Sequence, residues 1–204
     1  MERERKAQFF AIGLILLSIV IFVSVGLRGR AFITSDPTPH TRGFFERGIE
    51  EFPRTVTTGL NNDYSIESLE NTVDNYVSFL ERRNMARGVT ADYFYLTGIK
   101  DLEGGTNDYE VSFGNFLGRD VYNVELNKTF NDGTFQANEL TNELGSGGQV
   151  NQKLDLENVD KVGVEFIDEN GVYYSQETSF SSRPFHIFYG RTEAFGESWV
   201  KTSR

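Results

Sequence analysis

Ser146 lies among glycines in Gly145-Ser146-Gly147-Gly148, the stretch of this chain that comes nearest to a site of chemistry. Two chemistries use such a stretch, a phosphate cradle and an exposed nucleophile. The cradle fails on spacing. No Gly-Lys-Ser/Thr follows, and Val150 stands where a dinucleotide fingerprint has its third glycine. The nucleophile needs an imidazole. The one downstream histidine, His186, sits in Phe185-His186-Ile187-Phe188, which reads as a strand. The glycine stretch is therefore read as a flexible connection between strands.

Carboxylates come in close pairs: Asp101 with Glu103, Asp155 with Glu157, Asp168 with Glu169. A glycosidase needs two such groups facing each other across a cleft, whereas these pairs fall at expected turns of an acidic domain. Asp101, Glu103, Asn107 and Asp108 offer oxygen ligands of the kind Ca²⁺ prefers, in a spacing unlike an EF-hand. No catalytic, cofactor-binding or metal-ligating residue is assigned. No cofactor and no enzymatic activity are expected. One modification signal remains. Asn127-Lys128-Thr129 is an N-glycosylation sequon, close to an expected turn at Asn131-Asp132-Gly133.

Composition narrows the classes further. Cysteine is absent, which removes disulfides, thiol nucleophiles and cysteine zinc sites together. There are two histidines, too few for a multi-histidine metal centre. Residues 29–204 hold 16 of the 20 Lys and Arg but 28 of the 30 Asp and Glu, so this part repels phosphate backbones and nucleic acid is not an expected partner. Eighteen phenylalanines supply material for a core without disulfides.

What positions all this begins at the amino end. Phe9–Leu27 carries no charge, and fourteen of its nineteen residues are Leu, Ile, Val or Phe. Nineteen helical residues extend roughly 28 Å, close to the hydrocarbon thickness of a bilayer. Phe9, Leu14, Leu17, Ile21, Val25 and Leu27 mark the expected span. Arg3, Arg5 and Lys6 precede it and Arg28 and Arg30 follow, a slight excess that favours a cytoplasmic amino terminus and an extracellular carboxyl-terminal domain. A cleaved secretory signal is a rival, with Gly29-Arg30-Ala31 as a faint small-x-small site.

The expected organisation is a cytoplasmic tail (1–8), a transmembrane helix (9–27), a linker containing Pro37 and Pro39 with a solvated His40 (28–40), a helical segment (41–88) and a β-sandwich (89–204). In the helical segment, Phe44, Phe45, Ile49 and Phe52 share one side, and Pro53 ends or kinks the run. "GLNND" (59–63) reads as a turn. After the N-cap Ser65, Ile66, Leu69, Val73, Tyr76, Val77 and Leu80 form one helical stripe. Arg82, Arg83 and Arg87 suit the helix end, and Gly88 stops it. Beyond it, segments 92–99, 109–116, 120–127, 161–168, 171–180 and 185–190 read as strands. Asn131-Asp132-Gly133 and Asn170-Gly171 read as hairpin turns, with Val162, Val164 and Phe166 facing inward.

Three stretches carry resemblances. Arg5-Lys6-Ala7-Gln8-Phe9-Phe10 resembles the archaeal class III, prepilin-type signal, which implies a cut between Ala7 and Gln8 with the hydrophobic helix retained. Ile12 stands where such pilins usually carry glutamate. "GNFLGRDVYNVEL" (114–126) resembles Ig-like modules of archaeal and bacterial surface proteins. The whole layout, with Glu51-Phe52-Pro53 and "FHIFYGRTEAFGESWV" (185–200), resembles small archaeal single-pass membrane proteins of unknown role. The resemblance implies an α+β chain: an N-terminal transmembrane helix, two short helices, then an antiparallel Ig-like β-sandwich. Expected partners are the lipid bilayer and other surface or pilus-type proteins. The expected role is structural or interactive at the cell surface. The alternative is a minor pilin or pseudopilin-like subunit assembled through its hydrophobic helix.

Overall fold

Ser65 caps the helix that the apolar stripe anticipates: its Oγ accepts the backbone N–H of Ser68 at 3.2 Å. A computed structural model of the chain describes residues 38–181, 184–194 and 197–203. The expected tail and span, the Ala7–Gln8 cut and the linker as far as Pro37 lie outside the described residues. Among those described, no helix is long and apolar enough to cross a membrane.

Helix α1 spans Thr38–Asn62 and helix α2 spans Ile66–Met85. In α2, Leu69, Val73, Val77 and Leu80 are buried, and Gly88 follows with a positive φ of 70°. The expectation of two short helices, with Pro53 ending or kinking the first, is corrected as to length and ending by α1. It runs for 25 residues, straight through Pro53. It also begins at Thr38, inside the stretch read as linker, with Pro39 in the first turn where its missing N–H costs nothing. An interior proline costs about 3 kcal/mol. Phe52, Val56 and Leu60 on either side of Pro53 are buried, each contributing about 1.5–3 kcal/mol, so packing outweighs the break. The two helices pack closely. Tyr76 Oη donates to the Gly48 carbonyl at 2.6 Å, and a Cβ on Gly59 would meet Thr72 Oγ1 at 2.7 Å.

Nine strands follow: β1 (Thr90–Lys100), β2 (Asp108–Phe116), β3 (Val121–Phe130), β4 (Phe135–Leu144), β5 (Gln149–Asp155), β6 (Val159–Asp168), β7 (Tyr173–Ser179), β8 (Phe185–Ala194) and β9 (Glu197–Ser203). They form two antiparallel sheets, one ordered β5-β2-β1-β8-β9 and the other β4-β3-β6-β7. The chain is thus α+β, with two helices and two antiparallel sheets.

The five-stranded sheet is the middle of three layers, and β1 shows why. Phe94 and Leu96 join Val124, Leu126, Val162, Val164 and Phe166 in the core between the sheets. Their neighbours Tyr93 and Tyr95 point the other way and pack with Phe45, Ile49, Phe52, Val73 and Val77 of the helices. Seven consecutive residues of β1 are buried because both faces are covered. Both expected hairpin turns form, with positive φ at Gly133 and Gly171. Val162, Val164 and Phe166 face inward, as anticipated.

Candidate interaction surface

The residues that could have done chemistry are kept apart. Ser146 lies in the β4–β5 connection beside Asn115, while His186 pairs with Thr97 on β1. Three steps across the sheet and three along β1 separate them by roughly 17 Å, so no hydrogen bond joins them. A polar row does cross the middle sheet, with Ser112, Thr97 and His186 side by side on β2, β1 and β8. Ser112 donates to Glu70 Oε1 at 2.9 Å and shares a 3.1 Å hydrogen bond with Tyr95 Oη. Ser112 and Thr97 are fully buried, and two inter-strand steps, roughly 10 Å, separate Ser112 from His186. His186 sits against Phe52 at 5.9 Å between ring centroids, and burial pushes its pKa down. This arrangement packs the helices onto the sheet.

The acid pairs shape turns. Asp101 Oδ1 accepts the Glu103 N–H at 3.0 Å and its Oδ2 accepts Lys153 Nζ at 2.8 Å, and these bonds hold its carboxyl below the usual range. Asp155 Oδ1 accepts the Glu157 N–H. Among the described residues, no three His, Cys, Asp or Glu side chains come together to hold a metal ion. Asn127 departs from its expected setting. Strand β3 continues to Phe130, so Asn127 lies inside the sheet between Ala137 and Gly163 and is 8% exposed, away from the turn. The folded domain does not present this amide for modification.

Where β2 leaves one sheet for the other, Asn115 organises the crossing. Its Nδ2 donates to the carbonyls of Arg119, Leu144 and Gly145, and its Oδ1 accepts the Leu117 N–H. The backbones of Gly147 and Gly148 pair with its own N–H and C=O. The glycine stretch read as a flexible connection is therefore fastened, with Gly147 at φ +76°. Arg119 sits beside it and bridges the sheets, pairing with Asp92 of β1 and Asp168 of β6.

Exposed apolar residues lie both on the helices and on the strand side, where Leu102, Phe135 and Tyr173 stand out, and the helical group is the one flanked by arginines. Phe44 of α1 and Phe79 and Met85 of α2 are 37%, 46% and 64% exposed. Arg87 lies over the Phe44 ring at 4.3 Å, and Arg83 lies 4.9 Å from Phe44 and 5.8 Å from Phe79. Met85 also lines an open cleft of about 480 Å³, with Glu81, Ala91, Phe116 and Gly147. Burial raises the Glu81 pKa there. This arrangement can seat a partner surface, and it contains no paired nucleophile and base. The apolar stripe of α2 runs along its buried side, and Phe79 and Met85 lie off it. The signal that would have found them is apolar residues lying off the stripe next to arginines.

Comparison with known proteins gives no matching family model, no matching curated protein and no matching solved structure.

Proposed function

We propose that this chain is a single-pass membrane protein, with a cytoplasmic amino terminus, that holds its α+β domain outside the cytoplasm as a contact module and performs no catalysis. The observation that carries this reading is the uncharged block Phe9–Leu27, long enough for one bilayer crossing. Two features support it. The remainder is strongly acidic and disulfide-free, yet has a large aromatic core that keeps it folded unaided. Two of its exposed aromatic residues, Phe44 and Phe79, share an arginine-flanked patch on the helices. The Ig-like kinship rests on residues 114–126, which form the end of β2, a sheet-changing bend and the start of β3.

Carbonate-washed membranes should retain the chain, and protease added to whole cells should remove its carboxyl-terminal domain. Release by carbonate, or full protection from protease, overturns the reading. The alternative is a minor pilin-like subunit, favoured by the Lys6-Ala7-Gln8-Phe9-Phe10 motif. A mature chain that begins at Gln8 by mass spectrometry supports it, and an intact amino terminus supports the plain anchor.

A further inference from the structure

We propose that the arginine-flanked aromatic patch of Phe44, Phe79, Met85, Arg83 and Arg87 rests on the anionic headgroups of the membrane in which the chain is anchored. This rests on the anchor reading above and adds the partner of the patch.

Three observations converge. The first is charge. The domain is acidic, but its arginines are not spread evenly. In the helical hairpin, the end where α1 begins and α2 finishes holds Arg42, Arg47, Arg82, Arg83 and Arg87 against Glu46, Glu50 and Glu81, a net positive end, whereas the other half has Arg54 against Asp63, Glu67, Glu70 and Asp74. The second is chemistry. Among the described residues no carboxylate pairs with Arg83 or Arg87, whose guanidinium groups lie over exposed rings instead. Aromatic rings beside arginines suit the bilayer interface, where the ring enters the headgroup layer and the guanidinium meets phosphate. The third is reach. Ten residues separate Leu27 from Thr38, and a fully extended chain of that length covers at most ~36 Å. The patch lies at the end of the hairpin where this tether enters, within the first turns of α1 and the last of α2.

Acidic residues select which surface turns toward lipid. Asp120 and Glu169 meet in the adjoining strand loops, and Glu143 lies opposite Tyr122 nearby. These loops are repelled by anionic headgroups, so the helical face makes the contact.

The absence of cysteine makes the test direct. The full chain carrying Met85→Cys, or Leu102→Cys as control, receives a nitroxide and is placed in lipid nanodiscs. Leu102 is 71% exposed in the β1–β2 loop, roughly 30 Å from the patch along β1. On anionic discs, collision of the Met85→Cys label with a water-soluble nickel chelate should fall by about fivefold relative to the Leu102→Cys label. Collision with oxygen, which concentrates in lipid, should rise. Neutral discs, or Arg83→Gln with Arg87→Gln, should abolish the difference.

A chain retained in the discs whose two labels remain equally open to nickel overturns the lipid contact and leaves the anchor standing. Equal protection on neutral and anionic discs also overturns it, as does protection seen in intact cells but never with pure lipid, which assigns the patch to a protein. A chain that fails to float with lipid takes down the anchor reading and this contact together.

Discussion

Arg119 extends from the loop between β2 and β3 to within 3.4 Å of Asp168, a carboxylate with no exposed surface at the end of β6. The other oxygen of Asp168 accepts the N–H groups of Asn170 and Val172 at 2.9 Å each, which shapes the β6–β7 turn. One side chain thus fixes a hairpin and ties it to the opposite sheet through Arg119 and Asp92. Removing it strands two backbone donors and half-unpairs a guanidinium. Asp168→Ala should destabilise the domain by about 3 kcal/mol, and Asp168→Asn, which keeps an acceptor, by about half as much, measured by urea denaturation. Equal stability of Asp168→Ala and the parent would show that the tie carries no weight.

Asn115 makes a sharper case because its chemistry has a sign. Three carbonyl oxygens face its Nδ2. Asn115→Ala deletes these donors in a fully buried site, at about 2–3 kcal/mol. Asn115→Asp keeps the shape but sets a carboxylate against three carbonyls, so it should be the worse of the two in thermal melts at neutral pH. If aspartate proves milder than alanine, the amide is not acting as the clamp described.

His186 gives the domain a pH dependence. Burial lowers its folded pKa below the ordinary 6.5, and its Nε2 has no hydrogen-bond partner. As pH falls through that ordinary value, the unfolded chain binds a proton that the folded chain refuses. Stability contributed by neutral His186 is complete above about pH 7 and declines toward pH 5. Asp74 and Glu81, whose carboxyls burial pushes up, act in the opposite direction. The comparison must therefore be between the parent and His186→Leu. Denaturation at pH 7.5 and 5.5 should show a smaller loss in the leucine variant, and identical losses would count against a buried neutral imidazole.

Much of this fold is legible in the sequence where one face is wet and the other dry. The stripe from Ile66 to Leu80 marks α2 because its opposite face meets solvent. Val162, Val164 and Phe166 mark β6 for the same reason. Strands β4 and β5 go unread, and β9 is reached only through the resemblance of residues 185–200. Phe135–Leu144 is largely exposed, and Gln149–Asp155 is an edge strand with few apolar residues, so backbone pairing rather than side-chain burial sets both. Strand β9 is likewise held at an edge by pairing with β8. The length of α1 is hidden by Pro53, whose local penalty is visible in the sequence while the tertiary burial that overrides it is not. The interaction patch is hidden too, because Phe44 and Arg87 meet only when the two helices fold against each other.

Gly190 is where α1 closes onto the middle sheet. It sits on β8 opposite Tyr93, and a Cβ there would lie 2.5 Å from Ile49 Cδ1 and 3.1 Å from Phe45 Cζ. Both residues belong to α1 and both are buried, so neither can swing into solvent. Gly190→Ala must push α1 off the sheet or force side chains from their rotamers, at about 1–3 kcal/mol. Ile49→Val removes the Cδ1 atom that clashes most, at about 0.5–1.5 kcal/mol on its own. If the steric account holds, the pair is not additive: the double variant should be more stable than the sum of the two losses, by about 0.5 kcal/mol or more, in urea denaturation. Strict additivity would mean that the cost of Gly190→Ala arises in the strand itself, from backbone or Phe45, and not from the contact with Ile49. The double-mutant cycle thereby tests whether α1 is seated against β8 as described.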